Sequence, residues 1–116
     1  MAQNEQLANR IREMLAEAGQ LEEKTMFGGL CFMLNSKMCI CVNENEILCR
    51  IGPDEYEHAL TLNGCREMDF TGRPMKGYVF VENDALRTTT ALTYWVEQCI
   101  AFNKVAKAST RKINKQ

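Results

Sequence analysis

The sequence is short of several features on which common functions depend. Its 116 residues include one histidine, His58, and the net charge is −1. A single histidine and one closely spaced cysteine pair, Cys39 and Cys41, with no second such pair, fall short of a zinc ligand set, and a near-neutral charge is not typical of a nucleic-acid binder. No apolar run approaches the ~20 residues of a membrane span, and the N-terminus lacks the basic and apolar regions of a secretion signal. We therefore expect a soluble cytoplasmic protein with no metal, no cofactor and no membrane contact.

Length and composition indicate a single domain. A chain of 116 residues with 46% hydrophobic and 25% charged content is large enough for one core and too small for two, so we assign one domain to residues 1–116. The bases concentrate at the C-terminus, where no acid accompanies them: Lys104, Lys107, Arg111, Lys112 and Lys115. We interpret residues 107–116 as a flexible basic tail, with weak non-specific nucleic-acid contact as the alternative.

The six cysteines lie inside apolar strand and helix patterns rather than in loops. Cys39 and Cys41 are two residues apart on one predicted strand and point the same way, which is poor geometry for a bond between them. We expect free, buried thiols in a reducing compartment rather than a disulfide framework.

The order of patterns predicts an α+β fold with three helices and a mainly antiparallel sheet of about five strands, in the order α-β-β-β(-β)-α-β-β-α. A helical apolar spacing covers residues 4–18, and a second helix begins at Pro53, where proline and acids suit the first turn. Strands are predicted at Cys65–Phe70 and Tyr78–Glu82. The last helix begins after a threonine run, Thr88-Thr89-Thr90, that offers a cap.

The stretch from Leu30 to Ile51 predicts three strands that are apolar on both faces. A two-residue turn at Asn35-Ser36 pairs Met33 with Met38 and Phe32 with Cys39. Alternation then gives an uncharged core face: Cys31, Met33, Met38, Ile40, Val42, Ile47, Cys49 and Ile51. The opposite face is a candidate interface, covered either by a helix of the chain or by a second subunit: Leu30, Phe32, Leu34, Cys39, Cys41, Leu48 and Arg50.

Several motifs together resemble one family. Five motifs carry the resemblance: Met26-Phe27-Gly28-Gly29-Leu30, Leu34-Asn35-Ser36-Lys37-Met38, Arg50-Ile51-Gly52-Pro53, the long block from Arg66 to Val79, and Trp95-Val96. They are similar to the TfoX N-terminal domain, and the resemblance extends from about Thr25 to Phe102. Ser36 departs from the glycine that usually follows asparagine there. The family is named after the TfoX/Sxy regulators of bacterial competence, in which a separate C-terminal domain follows. The resemblance implies a stand-alone version of the domain, a two-layer architecture like that of secretion chaperones, and no catalytic residues.

A glycine-flanked loop, residues 71–77, is a second candidate site. Arg73, Met75 and Lys76 lie on it, and its positive tip suits an acidic partner or a phosphate, while the alternative is a purely structural connection. We expect a non-catalytic regulatory or protein-interaction module with an unknown protein partner and a possible homodimer. The alternatives are a small cysteine-dependent enzyme using a residue such as Cys65, and a nucleic-acid-associated protein using the basic tail.

Overall fold

Three α-helices pack on one face of a six-stranded antiparallel sheet. The computed structural model describes residues 5–26, 29–68 and 76–106. The helices are α1 (Glu5–Ala16), α2 (Pro53–Leu60) and α3 (Thr89–Asn103), and a short 3-10 helix spans Asn83–Leu86. The strands are β1 (Leu21–Met26), β2 (Gly29–Leu34), β3 (Lys37–Val42), β4 (Glu46–Arg50), β5 (Cys65–Glu67) and β6 (Tyr78–Glu82). Their order across the sheet is β1-β2-β3-β4-β6-β5, which confirms the predicted fold class.

The residues that predicted the starts of α2 and α3 in the sequence also define those starts in the structure. Pro53 occupies the first turn of α2, followed by Asp54 and Glu55, whose charges suit the positive end of the helix dipole. Thr88 caps α3, because its hydroxyl oxygen accepts a hydrogen bond from the N–H of Ala91 at 3.1 Å. The predicted basic tail, residues 107–116, lies outside the described residues.

Both faces of the central strands are buried, but they belong to two separate apolar clusters. The face under the helices carries these strand residues: Phe32, Leu34, Cys39, Ile40, Val42, Ile47, Cys49, Val79 and Val81. The other face carries a sulfur-rich set: Cys31, Met33, Met38, Cys41, Leu48, Met68 and Phe80. Every member of the second cluster is at most 5% exposed. The central strands therefore lack the water-facing polar face that is common in antiparallel sheets.

A β-bulge in β3 overturns the predicted division of the two faces. Met33 pairs with Met38 as predicted, but the register then shifts and Phe32 pairs with Ile40 rather than with Cys39. The extra residue bends the strand and reverses the alternation. Cys39 and Ile40 therefore share the helix-covered cluster, whereas Cys41 lies in the other one.

Strand β1 is the element that the sequence did not predict. Its residues Leu21, Glu22, Glu23, Lys24 and Thr25 show no apolar alternation, and all but the half-buried Leu21 are exposed. The strand pairs along its full length with β2 and forms one edge of the sheet. Backbone pairing with a strongly apolar neighbour holds it there rather than side-chain burial of its own.

Candidate interaction surface

An arginine held between two aromatic rings lies at one end of the sheet. Arg50 ends β4, and its guanidinium carbon lies 5.7 Å from the ring centroid of Tyr78 and 5.6 Å from that of Phe102. The guanidinium also donates a hydrogen bond to the carbonyl oxygen of Met38 at 3.4 Å. All three stacked side chains are half-buried. The cation is therefore held in a defined position within a half-buried site, and a positive charge so placed suits recognition of an acidic group.

Two glycines allow this stack to form. Gly52 (φ 89°) and Gly77 (φ 99°) both have backbone angles that favour glycine. The carbonyl oxygen of Gly77 accepts hydrogen bonds from the N–H groups of Ile51 at 2.9 Å and Gly52 at 3.1 Å. A Cβ atom on Gly52 would overlap the ring of Phe102. The end of β4, the start of β6 and the end of α3 thus meet at a point that a larger residue would block.

The end of α3 is tied to the β2–β3 hairpin beside this stack. Asn103 is 3% exposed, and its side-chain N–H donates to the carbonyl oxygen of Leu34 at 3.1 Å. The ammonium group of Lys37 donates to the carbonyl oxygen of Asn103 at 2.6 Å. These contacts hold Phe102, the preceding residue, in place. We call the set Arg50, Lys76, Tyr78 and Phe102 the Arg50 surface.

Part of the predicted site lies on this surface. Arg50 was predicted as an interface residue and Lys76 as a loop residue, and the sheet brings them to the same end, since the exposed Lys76 precedes Gly77. Arg73 and Met75 lie outside the described residues. Tyr78 and Phe102 were not predicted as site residues. The signal available for Tyr78 was its position directly after a loop glycine.

The apolar residues predicted as an interface do not form an exposed face. Phe32 and Leu34 are 0% and 1% exposed beneath the helices, where the half-buried Leu30 also packs. Leu48 is 0% exposed and lies on the opposite face. The bulge in β3 explains the mixed assignment, and burial within the chain leaves these side chains unavailable to a second molecule.

The cysteines also differ from the prediction. Cys31 and Cys41 face each other across β2 and β3 and form a disulfide, so the expectation of free thiols was wrong for this pair. It failed because the bulge places Cys41 opposite Cys31, a pairing that the predicted register excluded. With a disulfide and free thiols in one chain, the cysteines no longer favour one compartment.

Three of the four free thiols, Cys39, Cys65 and Cys99, are poorly suited to nucleophilic chemistry. A side-chain hydrogen bond with Cys99 and burial raise the pKa of Cys39, and burial raises the pKa of Cys99. Burial also raises the pKa of the half-buried Cys65 to about 11. A thiol with such a raised pKa is almost entirely protonated near neutral pH. Since the thiolate is the reactive form, these cysteines react slowly as nucleophiles there.

Two further findings concern the described residues alone. Among them, no group of three or more His, Cys, Asp or Glu side chains is arranged to hold a metal ion. None of the helices in residues 5–26, 29–68 and 76–106 is long and apolar enough to cross a membrane.

The fold and this surface define a class of small α+β domain, in which a helix-covered antiparallel sheet presents a stacked arginine at one end. The family model of the TfoX N-terminal domain matches residues 13–103. The chain therefore belongs to the TfoX N-terminal domain family, as its motifs predicted. No curated protein and no solved structure matches it. The likeness to secretion chaperones thus remains an expectation from the resemblance.

Proposed function

We propose that the chain is a non-catalytic, regulatory protein-interaction module that binds an acidic segment of a partner protein through the Arg50 surface. The observation that carries this proposal is the guanidinium of Arg50 stacked between Tyr78 and Phe102. Arginine and aromatic side chains are the residues that most often dominate binding energy at protein interfaces.

The charge around the stack favours an acidic partner. Lys76 and Lys104 are exposed, and the half-buried Lys37 lies by the end of α3. A carboxylate that reaches this surface can pair with the exposed ammonium group of Lys76 and is attracted by the positive charge of Arg50 beside the two rings. Such a contact recognises charge and shape and requires no reacting group.

The two alternative functions have less support. A cysteine-dependent enzyme needs a thiolate near neutral pH, and the raised pKa of Cys65 opposes one. A nucleic-acid-binding role depends on the basic tail, which lies outside the described residues. A role in competence is the one that the family name suggests, and it is a specific form of this proposal.

The proposal is tested by affinity capture from bacterial extract with the immobilised chain, followed by mass spectrometry. We expect proteins with acidic segments that are retained by the wild type but lost with Lys76→Glu and Arg50→Gln, and released by salt. Arg87→Glu is the control for a charge reversal elsewhere, since Arg87 is exposed and directly follows the 3-10 helix, outside the Arg50 surface. Melting curves establish that each variant is folded. Identical sets of proteins bound by all four chains would contradict the proposal.

A further inference from the structure

Among the described strands, none pairs with the outer edge of β1, and the register of β1 on β2 shows which of its backbone N–H and C=O groups point to that edge. The N–H of Asn35 donates to the carbonyl oxygen of Gln20 at 2.7 Å, which marks the Gln20–Asn35 pair as a hydrogen-bonded pair of the β1–β2 ladder. Bonded and non-bonded pairs alternate along an antiparallel ladder. Residues 22, 24 and 26 therefore direct their N–H and C=O groups toward β2. The backbone groups of Leu21, Glu23 and Thr25 point outward from the sheet edge.

The side chains of β1 divide between the two faces of the sheet. Leu21 packs against the helix-covered cluster, so Glu23 shares that face. Glu22 and Lys24 lie opposite Met33 and Cys31, on the other face. Both are exposed.

A second copy of the chain can add its own β1 to this edge in antiparallel orientation, around a two-fold axis perpendicular to the sheet. With the axis at Glu23, the outward N–H and C=O groups of Glu23 pair with those of Glu23 in the second copy, and those of Leu21 pair with those of Thr25. Glu22 of each copy then lies directly opposite Lys24 of the other copy, and this arrangement occurs twice. Opposite charges in such cross-strand pairs are stabilising.

Neighbouring registers lack this match. An axis at Glu22 places that carboxylate against its own copy, and an axis at Lys24 does the same with two ammonium groups. Both arrangements oppose like charges across the strands, which is destabilising. The charge pattern of β1 therefore selects one register.

In that register the two Glu23 carboxylates approach each other, and their like charges repel. Each of them is already neutralised by Arg12 of its own α1, which holds it through two hydrogen bonds of 2.6 Å and 3.0 Å. The hydrogen bond from Arg12 also lowers the pKa of Glu23, as expected of a carboxylate held in its charged form.

From this geometry we infer that the chain forms a homodimer through its β1 edge, in the register centred on Glu23 and with reciprocal Glu22–Lys24 ion pairs. The sheet is then continuous across the two copies. This surface is separate from the Arg50 surface, so the inference stands or fails independently of the proposed function.

Sedimentation equilibrium of the whole chain over a range of concentrations tests the inference. We expect a monomer–dimer equilibrium that weakens with added salt. Glu22→Lys and Lys24→Glu each turn both ion pairs into repulsions, and each is expected to raise the dissociation constant about tenfold or more. The exchange variant Glu22→Lys/Lys24→Glu is expected to restore dimerisation. An equal mixture of the two single variants is expected to form the heterodimer, since one chain then carries two bases where the other carries two acids.

Two further variants separate the edge contact from general effects. Thr25→Pro removes an outward N–H without removing a bond to β2, and it is expected to abolish the dimer while the monomer stays folded. Glu57→Lys makes the same charge change on the exposed side of α2 and is expected to leave the equilibrium unchanged. A wild type that stays monomeric at every concentration overturns the inference, because the charges of β1 would then serve to keep the edge unpaired. An equal dissociation constant for the wild type and both single variants overturns it as well.

Discussion

Replacing Phe32 by alanine tests whether the helix-covered face is the core of the chain. Phe32 is 0% exposed, and the guanidinium carbon of Arg12 lies 5.6 Å from its ring centroid. Truncating a buried phenylalanine costs about 3–5 kcal/mol through lost burial and the cavity that remains. Loss of the cation–π contact adds about 0.5–1 kcal/mol. A domain of this kind has about 5–15 kcal/mol of stability in total, so Phe32→Ala removes a large fraction of it.

Urea unfolding followed by circular dichroism, without reductant so that the disulfide is kept, measures this loss. With a slope of about 2 kcal/mol/M, a loss of about 4 kcal/mol lowers the unfolding midpoint by about 2 M. Val105→Ala is the control, because Val105 is 74% exposed and its truncation is expected to change the unfolding free energy by less than about 0.5 kcal/mol. If Phe32→Ala costs no more than the control, the ring is exposed and the division of the sheet into two buried faces is wrong.

Two further predictions concern titratable groups. The pKa of about 11 for Cys65 predicts slow alkylation near neutral pH, with a rate that rises about tenfold per pH unit toward pH 11; fast labelling at pH 7 that does not change with pH would contradict it. Because Arg12 lowers the pKa of Glu23 below its usual 4.5, their ion pair stabilises the fold above that pH and loses this effect as the pH falls through the folded-state pKa. Both side chains are over a third exposed, so Arg12→Gln is expected to lower the unfolding free energy by only about 0.5 kcal/mol at pH 7, and by less at pH 3, in urea titrations at the two pH values. A difference that grew on acidification would refute this assignment.

The sequence predicted the elements whose signals are local. Pro53 marks the start of its helix through chemistry confined to one turn, and this prediction was confirmed. A cap from the threonine run was also confirmed, at Thr88, although α3 begins at Thr89, within the run rather than after it. The Asn35-Ser36 turn was also confirmed, with φ values of 53° and 69° at the two residues. The β1 strand was missed because its charged residues carry no burial pattern, and pairing to β2 is a tertiary effect.

The bulge explains why the faces were assigned wrongly although most strands were located correctly. Alternation identifies a face only as long as the register is regular, and strands that are apolar on both sides give no contrast to reveal a slip. At the bulge the alternation breaks, and the adjacent residues Cys39 and Ile40 therefore lie in the same cluster. The candidate site was predictable only where its residues carry a local sequence signal. Lys76 stands out as a charge beside a glycine and Arg50 as a charge at the end of an apolar strand, whereas Phe102 reaches the site only through the packing of α3 on the sheet.

The burial of both faces has a consequence for how this chain tolerates change. In a sheet with one wet side, every second position accepts a polar residue, and a strand can drift in sequence without losing its fold. In β3 and β4 that freedom is missing, since neighbouring positions such as Ile47 and Leu48 are both fully enclosed. Variation among functional sequences should therefore be displaced to the rim of the sheet and the outer sides of the helices. New binding properties in this family would be acquired there rather than in the middle strands.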